Sequence, residues 1–273
     1  MADISALAIN TISNKPLNLR QAAELYAAKG VPAFTPWYDR VDDFGLSATK
    51  ALVDDLGIDF NGLCLCGLIS NEGPAKRQQA IDENRRRLDM AAELGISFVV
   101  TVAGGLLPES KNLAEASSYA FDSLAEILEH ARSVNVTLAL EALHPMYCPD
   151  WSVVTTLKQA NDWCDQLGDG TGIVVDTYHV WWDMTLAQEI ERAGNANRLV
   201  AYHVSDWLVP TSDLLLDRGL MGDGVIDIPS ITRLMREAGF QGRIEVEIFS
   251  NTWWTSDQSS FVDSIMERFA DAV

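Results

Sequence analysis

The sequence predicts an α/β protein built as one (β/α)8 TIM barrel, a single domain over residues 1–273. Three observations lead there. Short, nearly continuous apolar runs alternate with amphipathic helical stretches along the whole chain, as the doubly buried strands of a parallel sheet do. The alternation repeats eight times in 273 residues, close to the roughly 250 residues of a closed barrel. No G-x-G-x-x-G follows the first strand, so the fingerprint of an open dinucleotide-binding sheet is missing.

The elements follow in order. Strand one covers Ser5–Ile9, and a helix over Leu19–Lys29 is closed by Gly30. Strand two, Pro32–Thr35, runs into Pro36-Trp37, and Leu46–Leu56 has helical spacing up to Gly57. Strand three is read as Phe60–Cys66. A long helix over Pro74–Leu94 stops at Gly95, and its Arg85–Arg87 run reads as a solvated face. Strand four, Phe98–Val102, precedes a helix at Leu113–Ser133. Strand five, Thr137–Leu140, delivers Glu141 and leads to a helix at Thr155–Leu167. Strand six, Gly172–Val175, delivers Asp176, before a helix at Leu186–Ala193. Strand seven, Leu199–His203, opens into a long loop, Ser205–Val225, and a helix at Pro229–Ala238. Strand eight is Arg243–Ile248, and the last helix is Gln258–Ala270.

Composition excludes some partners. The net charge of −19 opposes a duplex nucleic-acid surface, which must neutralise phosphates, and disfavours anionic membranes. An apolar fraction of 48% supplies a large core, yet no apolar run reaches the roughly 18 residues of a membrane span. The four cysteines form no C-x-x-C pair, and the opening residues do not read as a secretory signal. A cytoplasmic, reducing setting is expected.

The chemistry lies where the strands end. Four consecutive apolar strands each deliver an oxygen or nitrogen ligand: LALE reaches Glu141, VVD reaches Asp176, AYH reaches His203 and EVE reaches Glu247. In a barrel, the loops after the strands build the active face. One strand-end carboxylate is often just a helix cap, but four such residues on consecutive strands converge on one point. Three carboxylates and an imidazole suit one divalent ion of intermediate hardness, Mn²⁺ first, with Mg²⁺, Co²⁺ and Zn²⁺ behind it. An octahedral ion would keep two positions for adjacent sugar oxygens.

Here the chain resembles the xylose-isomerase-like superfamily of sugar isomerases and epimerases, most clearly from Thr137 to Ser250. In the ketose 3-epimerase branch, the metal ligands are Glu, Asp, His and Glu at these strand ends, matching Glu141, Asp176, His203 and Glu247. A histidine three residues after the aspartate matches His179, and an R-G-x-x-G-x-G loop matches Arg218 to Gly224. The resemblance implies an enediolate mechanism. Glu141 and Glu247 remove and return a proton beside a metal-held carbonyl, while His179 and Arg218 bind substrate oxygens. It also suggests a possible homo-oligomer.

Two departures point to a second function. His144 follows closely on Glu141, either as a loop histidine fixed by Pro145 or as a general base. Seven of the eight tryptophans, including Trp37 and Trp182, fall in loops after strands, where they suit a sugar ring or an aromatic ligand, or else a subunit interface. These features resemble the catalytic subunit of C-glycoside deglycosidases. That subunit is a lyase that eliminates the aglycone of a 3-oxo-glycoside with a histidine base and works with a small partner subunit. The expected ligand is therefore an unphosphorylated sugar or keto-glycoside. A three-zinc repair nuclease is disfavoured by four histidines and the acidic charge. A sugar sensor without catalysis would look the same as an enzyme in sequence. A sugar phosphate would want more than the glycine pairs Gly104-Gly105 and Gly222-Asp223-Gly224.

Overall fold

Side chains on a strand alternate between its two faces. The computed structural model, which describes residues 4–273, sorts them that way. Leu138, Leu140, Ile173, Val175, Tyr202 and Val204 belong to the large core cluster that the helices share with the sheet. Ala139, Val174 and Ala201, the residues between them, join Phe98, Val100 and Val102 in a smaller cluster inside the barrel. The acidic strand ends continue the inward set.

The eight barrel strands are Leu7–Asn10, Ala33–Thr35, Leu63–Gly67, Phe98–Val102, Thr137–Glu141, Thr171–Asp176, Leu199–Val204 and Ile244–Val246. All their pairings are parallel and run in sequence order, with the first strand pairing the eighth. The ring closes between the second and third strands through a bridge from Trp37 to Cys64. A ninth strand of two residues, Asp59–Phe60, pairs with the second.

That short strand corrects the sequence reading. The predicted third strand, Phe60–Cys66, is broken at Asn61-Gly62. An Asn-Gly pair is a turn signal, and here it outweighs the apolar run on either side. A side chain at residue 62 would also meet the Phe98 ring, with a Cβ only 2.5 Å from it. Gly67 ends the third strand at φ +97°, and a Cβ there would lie 1.8 Å from the Val102 carbonyl oxygen.

Helices Leu19–Lys29, Leu46–Leu56, Arg77–Leu94, Leu113–Ser133, Leu157–Leu167, Leu186–Asn195, Ile228–Glu237 and Gln258–Ala272 follow the eight strands. Their starts are capped by side chains as the sequence allows. Asn18 forms a reciprocal capping box with Gln21, and Thr156, Asp227 and Asp257 each accept a backbone N–H. The arginine run is only partly a solvated face. Arg87 is turned inward, with its guanidinium 3.6 Å from the Tyr38 ring centroid and donating to the Leu65 carbonyl at 2.8 Å. Its neighbours Arg85 and Arg86 pair with acids at the surface.

Short helices Tyr38–Phe44, Ile69–Glu72, Thr177–Val180 and Asn251–Trp254 lie in loops that follow strands. The loop after the seventh strand folds back on itself, pairing Asp206–Trp207 with Arg218–Gly219 in antiparallel fashion. Among the described residues, no helix is long and apolar enough to cross a membrane.

Candidate metal centre

Glu141 and Asp176 are the last residues of the fifth and sixth strands, and His203 lies one residue before the end of the seventh. Asp176 and His203 share a rung of the sheet. Glu247 follows the eighth strand directly, and its N–H donates to the Val204 carbonyl at 3.2 Å. This register brings one ligand atom from each of the four side chains within 4.8 Å of the others. All four residues are buried.

Three of the polar atoms gathered here have no hydrogen-bond partner: Glu141 Oε1 and both ring nitrogens of His203. Buried groups of this kind are normally satisfied, because leaving them unpaired costs free energy. A divalent cation would satisfy the Glu141 oxygen and the His203 nitrogen that faces it, so the residues present fit such an ion. Three carboxylates and an imidazole do not single out one metal.

A second acidic group lies deeper in the barrel. Cys64, Glu245 and Glu247 also come within 4.8 Å of one another. Its oxygens are already occupied. Asn10 and Asn61 donate to Glu245 at 2.8 Å each, Thr35 donates to it as well, and Asn10 also donates to Glu247 at 3.0 Å. This group is a hydrogen-bonded floor beneath the first. Glu245 Oε2 stands 3.7 Å from His203 Nε2, while His203 Nδ1 stands 3.8 Å from Glu141 Oε1. One edge of the imidazole therefore meets Glu245, and the other looks into the ligand cluster.

The electrostatics follow from packing so many acids together. Burial, then the neighbouring Glu247 charge, pushes the Glu141 carboxyl well above the usual range. Burial also raises Glu247, to about 6, against the opposing pull of Arg218 and His203. For His203, burial alone would favour the neutral ring. The carboxylates of Glu245, Glu247, Glu141 and Asp176 overcome it and hold the imidazole up to about 9.

His179 and Arg218 complete the site. Burial drives His179 down to about 3, so its ring is neutral. Its Nδ1 accepts the His144 backbone N–H at 3.2 Å. The Arg218 guanidinium lies 3.2 Å from that Nε2, donates to Glu247 at 3.1 Å and to Asp176 at 3.4 Å, and sits between the rings of Tyr178 and Phe249. The hairpin in the loop after the seventh strand carries it there.

Sequence reasoning missed what holds this hairpin. The Asp206 carboxylate, fully buried, accepts the N–H groups of Trp207, Gly222, Gly224 and Ile226 at 2.8–3.0 Å. The Gly224 spacing in the R-G-x-x-G-x-G loop is thereby explained, since a Cβ at that position would lie 2.2 Å from the Trp207 carbonyl oxygen. The acid in S-D-W directly after the seventh strand was the available signal. Asn10 and Glu245 were missed too, although Glu245 alternates with Glu247 on the inward face of one strand.

A cavity opens above the cluster, with Glu141, Glu247, His179 and Arg218 in its wall. Trp37 lines it, with its indole N–H donating to Asn10 at 2.9 Å. His144 and Trp182 do not line it. The His144 ring packs against Trp182 and Trp207, with centroids 5.6 and 5.3 Å away, and its Nδ1 accepts the Met146 N–H. The Trp182 indole donates to the His179 carbonyl at 2.8 Å. Of the tryptophans after strands, only Trp37 and Trp151 reach the cavity.

The family model described as "Xylose isomerase-like TIM barrel" matches residues 19–265. The chain belongs to this family. A crystal structure of a protein from Sinorhizobium meliloti 1021 is 43% identical, covers 99% of both chains and superposes with a TM-score of 0.96. An inosose isomerase from Bacillus velezensis is 27% identical over 180 residues, which are 63% of this chain and 60% of that protein. The crystal structure of the IolI protein with a bound zinc atom is 21% identical, covers 98% of this chain and 97% of its own, and has a TM-score of 0.83. That last likeness establishes the barrel and its strand order.

Proposed function

We propose that the chain is a divalent-metal-dependent isomerase or epimerase of an unphosphorylated sugar, acting by proton abstraction beside a carbonyl. The observation that carries this reading is the buried four-residue cluster with unpartnered atoms at Glu141 and His203, two of whose members, Glu141 and Glu247, line the cavity beside a neutral histidine and a buried arginine. The inosose isomerase likeness supports the reaction class, and the zinc atom of the IolI protein supports a divalent ion. Arg218 is the only cation lining the cavity among the described residues, and it is already paired with two carboxylates. A phosphate would find no cationic cluster there.

Glu141, Asp176, His203 and Glu247 would hold the ion, with Mn²⁺ the first choice. Once bound, it would supply Lewis-acid polarisation of substrate oxygens and balance developing negative charge. Glu141 and Glu247 come from strands three positions apart, so they approach a substrate from different sides of the mouth. One carboxylate takes the proton from the carbon beside the carbonyl. The electron pair left behind delocalises onto the carbonyl oxygen, giving an enediolate. The other carboxylate returns a proton to the opposite face of that carbon for epimerisation; for isomerisation the proton goes to the neighbouring carbon while the hydroxyl proton of the first carbon passes to the oxygen of the former carbonyl. The N–H groups of Arg218, with the neutral His179 ring beside them, can donate to the oxygen gaining charge. The apolar rings around Arg218 keep water from its faces.

A β-eliminating lyase with His144 as base draws less support, because that ring is packed between Trp182 and Trp207 away from the cavity wall. The deciding experiment is NMR in D₂O with Mn²⁺-loaded protein, a panel of ketoses and a 3-oxo-C-glucoside. Deuterium entering beside the carbonyl while a new sugar forms is expected. Release of an aglycone without sugar exchange, or exchange that survives chelation of the metal, would overturn the proposal.

A further inference from the structure

The charged and imidazole side chains of the cavity come from the ends of the fifth to eighth strands and the loops that follow them, whereas the third and fourth strands contribute Leu65, Val100 and Val102. Glu141, Glu247, His179 and Arg218 form the floor, and the rest of the wall is built from Leu65, Val100, Val102, Leu143, Leu215 and Phe249. The polar atoms that do occur on that wall are already used. The Trp37 indole N–H donates to Asn10, and the Tyr147 hydroxyl donates to the Leu214 carbonyl at 2.6 Å. Cys64 Sγ accepts from Asn10 at 3.5 Å. Trp151 stands at the rim, 39% exposed. No serine, threonine, asparagine, glutamine or lysine side chain lines the cavity among the described residues.

We propose that the substrate is an α-hydroxyketone with an apolar far end: a deoxygenated, alkylated or aryl-bearing sugar derivative rather than a fully hydroxylated ketose. This rests on the reaction class proposed above and narrows its substrate. Two adjacent oxygens are enough to engage the floor. Every further hydroxyl pressed against the aliphatic wall would lose its hydration without gaining a partner, weakening binding by roughly ten- to a hundred-fold. Methyl, methylene or aromatic carbon at the same place gains from leaving water. Specificity thus comes from the mismatch of a polyol with the wall as much as from contacts at the floor.

Achiral probes test this whatever the configuration of the natural sugar. Hydroxyacetone, 1-hydroxy-2-butanone and 1-hydroxy-2-hexanone would be titrated into the Mn²⁺-loaded chain, alongside the D-ketohexoses. Binding would be followed by calorimetry and tryptophan fluorescence, and C–H exchange by NMR in D₂O. Affinity is expected to rise roughly three- to four-fold per added methylene. The hydroxyhexanone should bind at least ten-fold more tightly than any ketohexose of equal carbon number. Val100→Thr, nearly isosteric, should narrow that gap by placing a hydroxyl on the wall. Affinity that is flat with chain length, or a ketohexose that binds as tightly as the hydroxyhexanone, would overturn the proposal while leaving the reaction class intact. If hydroxyacetone itself neither binds nor exchanges, the reaction class fails and this inference falls with it. The wild-type series decides the matter even if the variant does not fold.

Discussion

Replacing Arg218 with Met tests whether the floor is balanced by charge. The guanidinium is 2% exposed, and the carboxylates it pairs with, Asp176 and Glu247, are 1% and 6% exposed. Methionine keeps much of the length between Tyr178 and Phe249 but removes the charge. Stranding one partner of a buried ion pair costs about 3–5 kcal/mol. A ceiling applies, because a stranded carboxylate can instead take up a proton. Holding a carboxyl with an ordinary pKa protonated at pH 7 costs about 4 kcal/mol, which caps the loss per group. The metal-free variant should therefore lose about 3–4 kcal/mol at pH 7, lowering its unfolding midpoint by roughly 6–15 °C. The sign of the pH dependence follows. Losing Arg218 raises the folded-state carboxyl pKa, so the penalty is full well above the unfolded value and is relieved as pH falls toward it. At pH 5.5, below the value of about 6 that Glu247 already has in the wild type, that carboxyl is largely protonated in both proteins and the gap should shrink. Mn²⁺ replaces the missing positive charge and should stabilise the variant more than the wild type. Scanning calorimetry at both pH values, with and without Mn²⁺, measures all three quantities. Equal metal-free midpoints, a gap unchanged at pH 5.5, or equal stabilisation by metal would refute the charge-balance reasoning.

Asp176→Ala should abolish stoichiometric Mn²⁺ binding and activity while leaving the circular dichroism spectrum unchanged, as equilibrium dialysis and spectroscopy would show. His144→Ala should lower an isomerase or epimerase rate by less than about ten-fold, because its Nδ1 only accepts the Met146 N–H; a loss above a thousand-fold with kcat alone affected would restore it as a base. Asp206→Ala removes the acceptor of four backbone N–H groups and should cost roughly 2–4 kcal/mol of stability. It should also raise KM through a displaced Arg218, checked by denaturant melts and steady-state kinetics. Gly67→Ala should fail to give soluble protein in an expression trial, since its Cβ would collide with the Val102 carbonyl at a left-handed φ of +97°.

The barrel was legible because period and length agree across eight repeats, and the clustering of Glu141, Asp176, His203 and Glu247 because such residues recur at four consecutive strand ends. What sequence hid depends on backbone geometry that residue identity does not encode. The Asn61-Gly62 break competes with an apolar run, and only the proximity of Phe98 shows which signal prevails. Arg218 is separated from His203 by a long loop, and its arrival at the site depends on the Asp206–Trp207 strand pairing back onto it. His144 lies within three residues of Glu141 in sequence, yet its ring turns to Trp182 and Trp207 rather than to the cavity. Proximity along the chain was a poor guide wherever a loop, rather than a strand, fixed the direction of a side chain.

The composition of the barrel interior follows from one physical conflict. Glu141, Asp176, Glu245 and Glu247 are four carboxylates within a volume that offers only Arg218 and His203 as positive partners. Glu245 is held by neutral donors, Asn10, Thr35 and Asn61, so it can remain buried without drawing on those two cations alone. The remaining three meet His203 in one buried cluster beside the cavity, where hydrogen bonding is left incomplete at Glu141 and at His203. A core selected for stability alone would fill that space with apolar side chains, as the third and fourth strands do with Leu65, Val100 and Val102. The asymmetry between the two halves of one cavity therefore has a functional reading. One half keeps unsatisfied polar atoms at a cost in stability, and the other excludes polar groups, which is the pairing that the proposed substrate, polar at one end and apolar at the other, would match.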